Sequence, residues 1–241
     1  MLSFLAKHPP RTKVAHLDTI VYDRGRALVR YKPPSDQYLV INRLPPAPAD
    51  AAGNGKASLE PNCALTPPLH WHYYQSETFH VLEGTAKFVL DGEERIAATA
   101  EVVTVPAQQI HTFRNASTED EMVVEFVLDP RRREKDEAFL SNTFRHLFHS
   151  RMAELTLTNV TGNAQTYRDD CRKAGMQRSL FQTLLFNRLA DVIPVLPVPG
   201  VIAKPVGLMM NFLGGLVVGK WILGYSESYA EYYHRPRSDQ D

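Results

Sequence analysis

The chain has 241 residues, of which 44% are hydrophobic, so it is long enough for one sizeable core with extensions or for two small domains. Its 27 basic and 27 acidic side chains balance, which leaves no net field to attract nucleic acid, and no nucleic-acid partner is expected. The two cysteines, Cys63 and Cys171, are too few for a disulfide framework, which favours a reducing, cytoplasmic setting.

The first part of the chain predicts two strands and a loop. Residues 26–31 and 37–42 are joined at a Pro-Pro pair and are expected to begin a barrel. Residues 44–62 are rich in proline, alanine and glycine, a composition typical of a loop. We therefore separate residues 1–54, the N-terminal strands and loop, from a barrel core at residues 55–130.

Residues 70–115 hold four side chains that together indicate a metal site. His70 and His72 are two apart, so in a strand both imidazoles point to one face, and Glu77 and His111 follow on later predicted strands. Three imidazoles and a carboxylate suit Fe(II), Mn(II), Ni(II), Cu(II) or Zn(II) and leave positions for water or substrate. A lone histidine is more often a satisfied core or surface residue, and His80, on the strand face opposite Glu77, is expected to be structural.

The same residues occur in two motifs with fixed spacing. The first is HxH followed by Glu and Gly, and the second is Pro followed by His and Asn; they are matched by His70, His72, Glu77 and Gly84, and by Pro106, His111 and Asn115. In these motifs the chain resembles the cupin superfamily of small metal-binding β-barrels. The resemblance implies that His70, His72, Glu77 and His111 hold a divalent transition metal, with Fe(II) as the first expectation.

Three positions depart from the family pattern. Alanine stands at 64 and 100, where each motif opens with glycine, and Gln108 replaces the turn glycine. None of these changes removes a ligand. They do affect the turn geometry at Gln108, which requires either a negative φ or a tolerated strain.

The strands around the motifs predict the fold class. Residues 85–90 and 93–97 flank Asp91-Gly92, a pair that favours a tight hairpin, and further strands are expected at 102–105, 110–113 and 121–128. Short strands with regular turns suit a mainly β protein with a closed antiparallel barrel, and the resemblance implies a cupin β-barrel of the jelly-roll type. Four apolar residues are expected to face inwards and to give the pocket an apolar lining: Phe79, Val81, Phe88 and Phe113.

Residues 131–241 predict a helical C-terminal extension. Helices are expected at 131–153 and from about Tyr167 to Val192, and the prolines between 194 and 205 are expected to exclude a continuous helix. Residues 206–225 are then almost entirely apolar, close to the roughly 20 residues that span a bilayer. Two interpretations stay open: a helix packed on the barrel or on a second copy in a homodimer, or a segment associated with a membrane.

Three functions are compatible with these features. The first is a metal-dependent oxidoreductase for a small apolar or phenolic metabolite, with Glu77 also taking a substrate proton. This is similar to cupin proteins of filamentous fungi attributed to polyketide gene clusters, which the overall pattern resembles. The second is a metal-dependent isomerase, dehydratase or cyclase without redox chemistry. The third is a cupin that binds a small ligand without turnover.

Overall fold

The protein is described from a computed structural model, in residues 2–14, 17–33, 35–48, 63, 65–130, 166–198 and 200–232. The predicted helix at 131–153 lies outside these residues, as does most of the predicted loop at 44–62. In the described part the protein is mainly β, with two antiparallel sheets in a jelly-roll arrangement and helices towards the C-terminus, as the sequence predicted.

Eleven strands form the two sheets. In chain order they are β1 Thr19–Tyr22, β2 Ala27–Tyr31, β3 Val40–Leu44, β4 His70–His72, β5 Ser76–Glu83, β6 Thr85–Leu90, β7 Glu93–Ala98, β8 Val102–Val105, β9 His111–Asn115, β10 Met122–Asp129 and β11 Val192–Pro194. One sheet has the order β1-β2-β3-β10-β5-β8 and the other β11-β4-β9-β6-β7.

The turns follow from residues that accept a positive φ. Asp91 and Gly92 have φ of 49° and 92° and close the β6–β7 hairpin where it was expected. The two described positions that depart from the family glycines also lie in the left-handed region, with φ of 70° at Ala100 and 67° at Gln108. Gln108 therefore keeps the turn geometry of a glycine and carries the strain of a side chain there.

The core lies between the sheets and is aromatic at its centre. The rings of Phe88, Phe113 and Phe126 lie 5.1 to 5.4 Å from that of Phe79, centroid to centroid. Alternate residues of β5 are buried, which places Glu77, Phe79 and Val81 on its inner face. Fully burying one such ring stabilises the fold by about 1.5–3 kcal/mol.

The N-terminal strands differ from the prediction in their bounds. Strand β1 was not predicted, and β3 begins three residues later and ends two residues later than the expected 37–42. Strand β3 pairs with β10, so the N-terminal strands extend the same sheet that carries β5.

The expected single helix from Tyr167 to Val192 is wrong, because the chain breaks it twice. Residues 166–173 (α1) are helical, and Gly175 follows with φ of 64°. Helix α2, Leu180–Leu189, then starts at Ser179, whose side chain accepts a hydrogen bond from the Gln182 N–H. The chain leaves α2 through Asp191 at φ 54° and enters strand β11.

The last helix is longer than the prolines suggested. Helix α3 spans residues 200–222: it is α-helical over Gly200–Met210, which contains Pro205, and continues as a π-helix over Asn211–Ile222. Pro205 is the sixth residue of this helix, so the hydrogen bond that its N–H would have donated to the Val201 carbonyl is lost. The combined 23 residues are long and apolar enough to cross a membrane by length and composition, and 28% of the most apolar 18-residue window is buried against the protein.

Candidate metal centre

The structure brings together all four side chains that the sequence singled out. His70 and His72 come from β4, Glu77 from β5 and His111 from β9, and each has one donor atom within 4.8 Å of the others. Their exposed fractions are 4%, 3%, 7% and 1%. Four polar groups buried at one point need partners, because an unpaired buried polar group costs stability.

Strand pairing explains why residues so distant in sequence converge. His70 on β4 lies directly opposite His111 on β9, with ring centroids 4.3 Å apart. Glu77 belongs to the facing sheet and reaches across, so that its Oε2 lies 3.0 Å from His111 Nε2. The centre therefore joins the two sheets, and neither sheet supplies it alone.

Two of the imidazoles are oriented by backbone carbonyls. The Nδ1 atoms of His70 and His111 each lie 2.9 Å from the carbonyl oxygen two residues earlier, on Pro68 and Gln109. When Nδ1 donates its hydrogen to such a carbonyl, Nε2 keeps the lone pair that a metal requires.

His72 supplies the observation that tests whether a metal fits. Both of its ring nitrogens are buried and have no hydrogen-bond partner among the described residues, and Nε2 lies 3.6 Å from Glu77 Oε1. A divalent ion bound by His72 and its three neighbours would satisfy this nitrogen and balance the buried carboxylate. The donor set of three nitrogens and one carboxylate therefore fits a divalent metal ion.

The charges within the group are arranged around Glu77. Burial lowers the pKa of His70 to about 3, and the neighbouring imidazoles of His111 and His72 add to this, so His70 is neutral at physiological pH. Burial works to raise the pKa of Glu77, but the nearby charge of His72 and the hydrogen bond with His111 outweigh it and hold that pKa below its ordinary value. Burial likewise works to lower the pKa of His72, and Glu77 outweighs it, leaving a raised pKa.

The residues directly opposite the donors are apolar. Residues that face each other in paired antiparallel strands share one side of the sheet, so they surround the donors. Glu77 is paired with Leu128 and Val105, His111 with Leu90 and His72 with Val192, and these four are buried or partly buried.

Sequence analysis missed one strand and one acid beside the centre. Strand β11 pairs with β4, and Asp191 immediately before it accepts a hydrogen bond from the Tyr74 backbone N–H at 3.1 Å. Burial raises the pKa of Asp191 to about 6. The predicted helix extended to Val192, inside this strand, and no local pattern in Val192–Pro194 indicates a strand.

His80 is not part of the centre. It lies on the outer face of β5, and its Nδ1 is 3.0 Å from Glu125 Oε1. This agrees with the structural role expected for it.

The two sheets and the buried group of three histidines and one glutamate define a β-barrel protein with a candidate metal centre. Residues 57–128 match the family model described as Cupin domain, which confirms the predicted resemblance to the cupin superfamily.

A relative from Hypocrea virens named "Probable oxidoreductase virH" is 25% identical over 237 residues, 97% of this chain and 94% of that protein. Among solved structures, a sugar phosphate isomerase of the cupin superfamily from Silicibacter pomeroyi aligns at 16% identity and a TM-score of 0.34, over 49% of this chain and 74% of that one. KdgF from Halomonas sp. aligns at 15% identity and a TM-score of 0.32, over 46% of this chain and 84% of that one.

Proposed function

We propose that the protein is a metal-dependent oxidoreductase acting on a small apolar or phenolic metabolite, of the polyketide type, with Fe(II) as its metal. The observation that carries the proposal is the convergence of four buried donors in which His72 has no other partner among the described residues. The 25% identity to a relative named as an oxidoreductase, over nearly the whole of both chains, supports the redox class.

When bound, a redox-active ion supplies electron transfer and leaves coordination positions for the reactants. His70 and His111 would hold it through Nε2, because their Nδ1 atoms lie against backbone carbonyls. Glu77 would reduce the net charge of the site, since it is the only carboxylate in the group. Mn(II), Ni(II), Cu(II) and Zn(II) suit the same donors.

The substrate class follows from the apolar residues opposite the donors. Leu90, Val105, Leu128 and Val192 offer no side-chain hydrogen bonds, so a sugar or phosphate would lose its hydration there without replacement. An aromatic ring with one hydroxyl or carbonyl loses much less. We therefore favour a phenolic or other largely apolar metabolite.

Glu77 is the residue that we assign to proton transfer. Its lowered pKa keeps it ionised at neutral pH, the form that can accept a proton. A carboxylate has two oxygens, so one can remain with the imidazoles while the other receives the proton of a substrate hydroxyl.

The test is oxygen uptake by protein depleted of metal and reconstituted without air. Samples loaded with Fe(II), Mn(II), Ni(II), Cu(II) or Zn(II) are offered phenols, aromatic aldehydes and polyketides. We expect O2 consumption that requires both Fe(II) and an apolar substrate. E77Q, which keeps the shape of the side chain and removes its charge, should lower the rate roughly 100-fold, or about 2.7 kcal/mol of barrier.

The matched control is H80Q, which changes a histidine on the same strand outside the centre and should keep the parental rate. Equal turnover with Zn(II) and without O2 would contradict redox chemistry and identify a Lewis-acid isomerase, dehydratase or cyclase. Metal-loaded protein that binds the substrate and never converts it would identify a ligand-binding cupin.

A further inference from the structure

The face of α3 that packs against the protein is made of small residues. Every fourth position is buried there: Ala203, Gly207, Asn211, Gly215 and Gly219. A Cβ added at Gly207 would lie 2.6 Å from the carbonyl oxygen of Pro194 on β11, and one at Gly215 would lie 2.7 Å from that of Leu184 on α2. The helix backbone therefore rests directly on β11 and α2.

The opposite face is large, apolar and exposed. Its members include Val201, Ile202, Leu208, Met209, Phe212, Leu213, Trp221 and Ile222. Val201 is 87% exposed, and residues 205–219 contain no charged side chain. This distribution is the reverse of that in an ordinary surface helix, which turns its apolar face to the core.

The N-terminal segment extends the same patch. The Leu2 N–H donates to the Ile222 carbonyl at 2.6 Å, which fixes the first residues beside the end of the helix. Leu2, Phe4 and Leu5 are all exposed, Phe4 by 79%. Together with the helix they form an exposed patch of large apolar side chains, a feature that marks interaction sites on a protein surface.

Basic side chains outnumber acidic ones at the border of the patch. Residues 2–14 contain three basic residues and residues 200–222 contain two, and neither segment has an acidic residue; the five are Lys7, Arg11, Lys13, Lys204 and Lys220. Arg11 pairs with Glu231 and Lys220 with Glu227, both outside the two segments. The whole chain is neutral, so this local excess is specific to the patch.

We propose that this face docks the protein on the surface of an anionic lipid bilayer, with α3 lying in the plane of the headgroups. An apolar face bordered by cations complements anionic lipid, and Trp221 has the amphipathic ring that favours the interface. The helix does not cross the bilayer, because its inner face is packed on β11 and α2 along its length. A second copy of the chain would bring the same excess of positive charge to the interface and meet repulsion, whereas anionic headgroups are attracted to it.

The test is flotation of the full, metal-loaded chain with vesicles. We expect strong binding to vesicles of phosphatidylcholine with phosphatidylglycerol, weaker binding to pure phosphatidylcholine, and release as salt is raised. F212E should reduce flotation roughly tenfold or more, because it places a charge in the centre of the patch. I96E, at an exposed apolar residue of β7, is the matched control and should float like the parent.

If F212E does not fold, as judged by near-ultraviolet circular dichroism, F4E replaces it, because Phe4 lies outside the helix and is highly exposed. Parent protein that fails to float with either vesicle overturns the proposal. The proposal is also overturned if sedimentation velocity shows a stable dimer that F212E or F4E dissociates, while neither variant changes flotation. The outcome is independent of the reaction catalysed, since no metal ligand is altered.

Discussion

Strand β5 builds two clusters of histidine and carboxylate, one on each face. On the inner face Glu77 meets His70, His72 and His111. On the outer face His80 lies 3.0 Å from Glu125. The two clusters use the same kinds of side chain on the same strand, three residues apart, so their different surroundings decide what each can do.

The outer cluster has a cation of its own. Lys32 Nζ lies 2.7 Å from Glu125 Oε2 and 3.0 Å from Asp36 Oδ1, so both carboxylates are already paired with a lysine. The inner cluster has no lysine or arginine paired with Glu77 among the described residues, and the nitrogens of His72 lack partners there. Among the described residues, charge balance and hydrogen bonding are therefore incomplete at the inner cluster, which is where we propose that the metal ion binds.

The largest expected effect separates the two clusters by metal content. H72A should lower the metal from about one ion per chain to a small fraction, because it removes a ligand for which His80 is too distant to substitute. H80A should leave the content unchanged, since His80 faces away from the centre. Elemental analysis of both variants, purified in parallel with the parent, measures this. An equal metal content in H72A and the parent would show that the inner cluster is not the metal-binding site.

The next largest expected effect is on the stability of the metal-free protein in acid, to which the two clusters should contribute differently. His70 stays neutral in the fold down to a pKa of about 3, whereas in the unfolded chain it takes a proton near pH 6.5. Stability is therefore lost as pH falls from 6.5 towards 3, by roughly 3 kcal/mol between pH 6.5 and 4.

Urea unfolding at both pH values measures this effect, with H70Q expected to lose less stability than the parent and H80Q to lose as much. The pKa of Asp191, raised to about 6, acts in the opposite direction but is common to all three proteins. An H70Q variant as acid-sensitive as the parent would contradict the assignment.

The sequence predicted the barrel and the inner cluster because both depend on short-range rules. Alternation along β5 separates Glu77 from His80, and Asp91-Gly92 closes its hairpin through local backbone preference alone. Spacing in the two motifs then names the four donors that the fold brings together.

The C-terminal region was less predictable because tertiary contacts decide it. Strand β11 forms because it pairs with β4, and no local pattern in residues 192–194 predicts this pairing. Helix α3 tolerates Pro205 and turns its small residues inwards because these residues pack directly against β11 and α2. Helical periodicity and proline position could therefore place neither the break after α2 nor the length of α3.

The smallest expected effect tests the outer cluster as a purely structural one. E125Q removes the charge that Lys32 and His80 share and should lower the free energy of unfolding by about 1–2 kcal/mol, because Glu125 is mostly buried while Asp36 still pairs with Lys32. Its metal content should equal that of the parent. E93Q, on the exposed strand β7, is the matched control and should stay within about 0.5 kcal/mol. Chemical unfolding in urea measures the stability of both variants. Loss of metal from E125Q would show that the two faces of β5 are coupled, because a change confined to the outer face would have affected the ligands on the inner face.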